Sequence, residues 1–75
     1  MVLQRKINPM PDEVREALLQ GGLMQAYEAR PAYQRNDYLG WIARAKRPDT
    51  RKKRLDVMLD ELRRGGVYMN MTWNG

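Results

Sequence analysis

Residues 48–66, "PDTRKKRLDVMLDELRRGG", decide the fold. Pro48 suits the first position of a helix, where its missing N–H costs nothing and its φ is already helical. Leu55, Met58, Leu59 and Leu62 then recur at helical spacing as an apolar seam. Gly65-Gly66 supplies the stop, and Arg63 and Arg64 stand in the last turn, where cations complement the helix dipole. The first turn runs against that logic. Arg51, Lys52, Lys53 and Arg54 follow it, where exposed N–H groups favour anions, and Asp49 is its sole acid. The stretch is therefore an amphipathic helix, about 48–64, with a cation cluster that helix propensity does not call for.

The preceding segments follow the same grammar, because a proline at a helix start also pushes the residue before it towards extended backbone. "PDEVREALLQGG" reads as a helix over about 11–20, with Asp12 and Glu13 in its first turn, Val14, Ala17 and Leu18 on one face and Gly21-Gly22 at its end. "LMQAYEAR" places Leu23, Ala26 and Tyr27 on one side of a short helix, about 22–29, that Arg30-Pro31 interrupts. "PAYQRNDYLGWIARA" forms a third, about 31–45, with Tyr38, Trp41, Ile42 and Ala45 as its stripe. Gly40 inside it marks a close approach by a neighbouring helix. These spans predict an all-α protein, a small four-helix domain centred on a Tyr38/Trp41/Ile42 to Leu55/Met58/Leu59/Leu62 interface, with Trp41 its largest buried side chain.

After Gly66, "VYMNMTWNG" alternates apolar and polar residues with period 2, the pattern of a short extended C-terminal tail over 67–75. A lone strand needs a partner. The tail can pair with "VLQRKI" near the N-terminus, lie across the bundle with Trp73 over its core, or dock on another molecule.

Composition narrows the chemistry. The 75 residues suffice for one domain with a thin stability margin. Neither Cys nor His is present, so disulfides, thiolate zinc sites and imidazole catalysis are excluded, and no catalytic residue, metal site or cofactor is expected. Asp56, Asp60 and Glu61 read as a solvated helix face, since they alternate with cations and have no further ligand for a divalent ion. No apolar run approaches the roughly 20 residues of a membrane-spanning helix, and "MVLQRKINPMP" lacks a signal-peptide core, so a cytoplasmic location is the default expectation.

Charge is concentrated. Arg44, Lys46, Arg47, Arg51, Lys52, Lys53 and Arg54 share the 44–54 window with one acid, Asp49, which makes +6; the chain carries +5, so the remainder sums to −1. Helix spacing offers Asp49 to Lys53 and Asp60 to Arg64, each pair contributing about 0.2–0.5 kcal/mol, and Asp37, Glu28 or Asp12 could anchor other cations. A solvated face is one reading of the seven. The other is a site for an anionic partner, built on the same seven residues. Tyr27, Tyr38 and Trp41 sit at helical spacing and read as core, leaving Tyr33 as the exposed aromatic.

The stretch "ARPAYQRNDYLGWIARAKRPDTRKKRLDVMLDELRRGG" resembles the C-terminal helical module of the YdeI/OmpD-associated, bacteriocin-protection family. Tyr38, Leu39, Trp41, Ile42, Ala45, Lys46, Arg47, Pro48, Thr50, Arg51 and Arg54 fall on its pattern, and the likeness extends weakly back to about residue 11. It implies a small all-helical bacterial domain without established catalytic residues, associated with the cell envelope and with tolerance of antibacterial agents. Ala32 replaces the family's Ser after the helix-opening proline, removing a hydroxyl cap. The N-terminal β domain of many relatives has no counterpart in these 75 residues, and the tail lies outside the pattern. The resulting expectation is a non-enzymatic binding module that presents the basic corner to an acidic protein or envelope component. A nucleic-acid-binding protein, mainly non-specific, is the alternative.

Overall fold

In a computed structural model, described over residues 7–72, four helices follow in the order α1 (Asp12–Gln20), α2 (Met24–Glu28), α3 (Ala32–Ala43) and α4 (Pro48–Arg64). Two short strands, β1 (Val67–Tyr68) and β2 (Met71–Thr72), close the described chain. The fold is thus mostly α, as expected. Pro48 occupies the first turn of α4, whereas Pro11 and Pro31 stand one residue outside their helices with extended ψ of 154° and 150°. Each of these two offers its carbonyl to the N–H groups three and four residues on, at 3.0–3.2 Å. Proline serves either position, because both lack an intrahelical use for its N–H.

The α1–α2 junction starts α2 two residues later than the spacing suggests. Gly22 adopts φ +66°, the Leu23 N–H reaches back to the Leu18 carbonyl at 2.8 Å, and the Gly22 N–H reaches Leu19 at 3.2 Å. This pair of bonds is a Schellman closure, and it brings Leu18 and Leu23, both buried, together across the turn. At the far end of α3 the Ala45 N–H turns to Ile42 at 3.2 Å, a tighter bond that ends the helix at Ala43.

The core joins Val14 and Leu18 of α1, Leu23, Tyr27 of α2, Tyr38, Leu39 and Ile42 of α3, and Leu55, Met58 and Leu62 of α4. Tyr38 is the largest fully buried side chain. Trp41 and Leu59, both placed at the centre by their spacing, are only partly buried and pack against its margin. The stripe of α3 runs Gln34–Tyr38–Ile42, one residue every four, so Trp41 turns to its edge. Gly40 does mark a close approach, but by Asn8 and not by a helix: a Cβ there would lie 2.9 Å from the Asn8 amide nitrogen. Asn8 is held by Asn36, whose Oδ1 accepts its backbone N–H at 2.7 Å.

The tail folds on itself. β1 and β2 pair antiparallel, Val67 with Thr72 and Tyr68 with Met71, about a turn in which Met69 and Asn70 have φ of +51° and +66°. Positive φ at both central positions is the signature of the hairpin turns that match strand twist. Within the described residues the tail is a self-paired hairpin; most of "VLQRKI", its suggested partner, and Trp73 lie outside them.

Candidate functional site

The turn between α3 and α4 presents the basic corner. Successive residues on a helix point about 100° apart, so Arg51, Lys52, Lys53 and Arg54 cannot share one face. Arg51 turns towards α1, where it lies 4.0 Å from Glu13. Arg54 turns towards α3: its guanidinium stands 5.3 Å from the Trp41 ring centroid and donates to the Trp41 carbonyl at 2.6 Å. That carbonyl belongs to the last turn of α3, and Ala45, four residues on, bonds elsewhere. Arg54 thus caps α3 and covers its tryptophan at once. Lys53 lines a groove of about 320 Å³ beside Asp56, Asp60 and Arg64.

The remaining cations form the corner itself. Arg44, Lys46, Arg47 and Lys52 are exposed. Arg47 lies 3.5 Å from Asp49, which also accepts the Thr50 N–H at 3.0 Å and so does not pair with Lys53. Asp60 pairs with Arg64 at 3.1 Å as helix spacing suggests. Of the proposed anchors, Asp12 binds Arg15 and Asp37 accepts the Tyr68 hydroxyl, so Glu13 is the acid that reaches the cluster. Among the described residues no carboxylate comes within ion-pair distance of Arg44, Lys46, Lys52 or Lys53.

A second polar constellation was not expected. Glu61, read as part of a solvated face, is 3% exposed and forms the hub of a buried network. Its Oε1 accepts the Tyr38 hydroxyl and the Met69 N–H, the latter at 2.8 Å, while Oε2 accepts the Asn70 N–H at 2.9 Å. The buried Arg30 donates to the Glu61 carbonyl at 3.0 Å and to Gln34 Oε1 at 3.1 Å. Burial, then the hydrogen bond to Glu61, pushes the Tyr38 hydroxyl well above the ordinary tyrosine range. A carboxylate that bridges two successive backbone N–H groups offsets the cost of positive φ at a methionine. Glu61 lies three residues beyond Met58, so it already fell on the seam side of α4; that periodicity was the available signal. Gln34, four residues before Tyr38, lay on the α3 stripe by the same spacing; Arg30, outside the helices, had no such signal.

Tyr33 is exposed, as expected, and meets Tyr68 edge to face at 6.0 Å; Tyr68 meets Tyr38 similarly at 5.4 Å. The hairpin is thereby fastened through its tyrosine ring, through Asp37 and through Glu61. No group of side chains able to hold a metal ion occurs among the described residues, and none of their helices is long and apolar enough to cross a membrane.

Comparison with known proteins agrees with the sequence pattern. No curated protein and no solved structure matches the chain. A family model described as bacteriocin-protection, YdeI or OmpD-associated matches residues 9–65, which takes in all four helices, the basic corner and Glu61 but stops short of the hairpin. With three quarters of its length so matched, the chain belongs to the YdeI/OmpD-associated, bacteriocin-protection family.

Proposed function

We propose that this domain is a non-enzymatic binding module, associated with bacteriocin protection as its family is, that presents the α3–α4 corner to an anionic partner. One observation carries the reading: Arg44, Lys46 and Lys52 are exposed without a carboxylate within reach among the described residues, beside an Arg47 that only Asp49 approaches. Uncompensated cations of one sign on one turn raise the local potential and favour anionic ligands. The buried polar groups support a structural role for themselves, since Tyr38 and Glu61 are occupied by each other and by turn N–H groups. They leave no free base or nucleophile at that centre.

An amide chemical-shift titration of the full chain with a heparin oligosaccharide, a generic polyanion, tests the assignment. Shifts confined to residues 44–54 that shrink as salt rises are the expected outcome. Shifts scattered over the surface, or none at low salt, would refute the corner as the binding surface.

A further inference from the structure

The corner has a property that separates polyanions from small anions. Arg44 and Lys53 each line a cavity beside an acid, Asp37 for Arg44 and Asp56 and Asp60 for Lys53. Arg51 and Arg54 are turned away towards Glu13 and Trp41. Neither of these two cavities brings together two of the seven cations, as recognition of a phosphate or carboxylate metabolite by a cation cradle requires. Arg44, Lys46, Arg47 and Lys52 are exposed along the α3–α4 turn and the start of α4, an arrangement suited to charges that are themselves spaced along a chain or surface.

The corner is also bare of apolar anchors. Among the described residues the exposed large hydrophobics are Ile7, Leu19, Tyr33, Val57 and Met71, and none falls within 44–54; Ala45, inside the window, is buried. An amphipathic helix that inserts into a membrane buries apolar side chains between headgroups, and a protein interface of high affinity centres on a desolvated aromatic or aliphatic anchor. Contact with a nucleic-acid backbone needs neither, because phosphates are bound by cations at the rim of the duplex. Nor does the corner present Asn or Gln, the side chains that read adenine.

Resting on the corner as the binding surface, we propose that its partner is double-stranded nucleic acid, held through the phosphate backbone by Arg44, Lys46, Arg47 and Lys52 without sequence selection. Two further features follow. Four phosphate contacts give a log–log salt slope of about −3 to −4, a loss of roughly 100-fold in affinity between about 50 and 200 mM salt. Duplexes of unrelated sequence bind alike.

Fluorescence anisotropy of the full chain with two labelled duplexes of unrelated sequence, across that salt range, measures both. The triple variant Lys46→Glu, Arg47→Glu, Lys52→Glu is compared with Lys53→Glu, and cosedimentation with vesicles of mixed phosphatidylglycerol and phosphatidylcholine runs beside them. Circular dichroism confirms that both variants stay folded. The proposal expects the triple variant to weaken duplex binding more than tenfold and Lys53→Glu to weaken it within about threefold, with vesicles bound less well than duplex. Vesicle binding that the triple variant abolishes, with no duplex binding, would overturn the nucleic-acid assignment and leave the corner as a binding surface. Absence of binding to duplex, vesicle and heparin alike would remove both readings.

Discussion

At the scale of single residues, Glu61 and Arg54 show how a charged side chain near a seam becomes structural. Removing the Glu61 carboxylate leaves the Tyr38 hydroxyl and two turn N–H groups without their acceptor, so Glu61→Ala is expected to destabilise the protein by about 3 kcal/mol. Glu61→Gln keeps one acceptor oxygen and should cost about half as much, while the exposed Asp60→Ala should stay within about 0.5 kcal/mol. Urea unfolding of the three variants checks the order. Tyr38 adds a pH dependence. Its hydroxyl is held above the ordinary value of 10.0 by burial and by Glu61, and that of Tyr27 by burial, partly offset by Arg35. Folding therefore favours the neutral phenols: this stabilisation is complete below pH 10.0 and is lost as pH climbs above it towards the folded values. Tyrosinate absorbance from these two residues should appear together with loss of helical ellipticity. Titration of Tyr27 and Tyr38 near pH 10.0 with the helices intact would contradict their burial.

At the scale of elements, the turns carry information that helix periodicity does not. Gly22 at φ +66° closes α1 by a geometry that disfavours a Cβ, and Gly22→Ala should cost about 1 kcal/mol in thermal melts. Asn70 occupies a left-handed position in the hairpin turn and is exposed, so Asn70→Gly should stabilise by a few tenths of a kcal/mol, the preference of such turns for glycine there. An unchanged or lower melting temperature for Asn70→Gly would mean that its side chain, not its backbone, holds the turn. The hairpin is two residues wide on each strand and marginal alone. It persists through Glu61 at its turn and through Tyr68 against Asp37, Tyr33 and Tyr38.

For the whole molecule, the centre of the core has moved from its expected tryptophan to a tyrosine. Tyr38 is fully buried and hydrogen-bonded, whereas Trp41 is partly buried beneath Arg54. Tyr38→Ala is therefore expected to destabilise by about 3–5 kcal/mol and Trp41→Ala by less, an order that chemical denaturation resolves. Loss of cooperative unfolding in Trp41→Ala but not in Tyr38→Ala would reverse the assignment. Packing also divided the cation cluster. Arg51 and Arg54 face Glu13 and Trp41, and the exposed remainder defines the corner.

Much of this was legible in the residues. The bounds of α4, from Pro48 to Arg64, follow from a proline start, an apolar period and a glycine stop, all of them local, and the confinement of positive charge to 44–54 needs only the order of residues. The family pattern in "YLGWIARAKRPDTRKKR" was equally plain. The burial of Glu61, the displacement of Trp41 and the hairpin about Met69 and Asn70 were not. Each depends on partners that lie eight to more than twenty residues away, such as Met69, Asn70 and Tyr38 around Glu61, and a local pattern cannot report them. A carboxylate on a helix looks solvated until another element brings N–H groups to it, as the Met69–Asn70 turn does to Glu61. Local propensity thus determined the helices and their charge; tertiary contact decided which polar groups went inside and which cations stayed exposed.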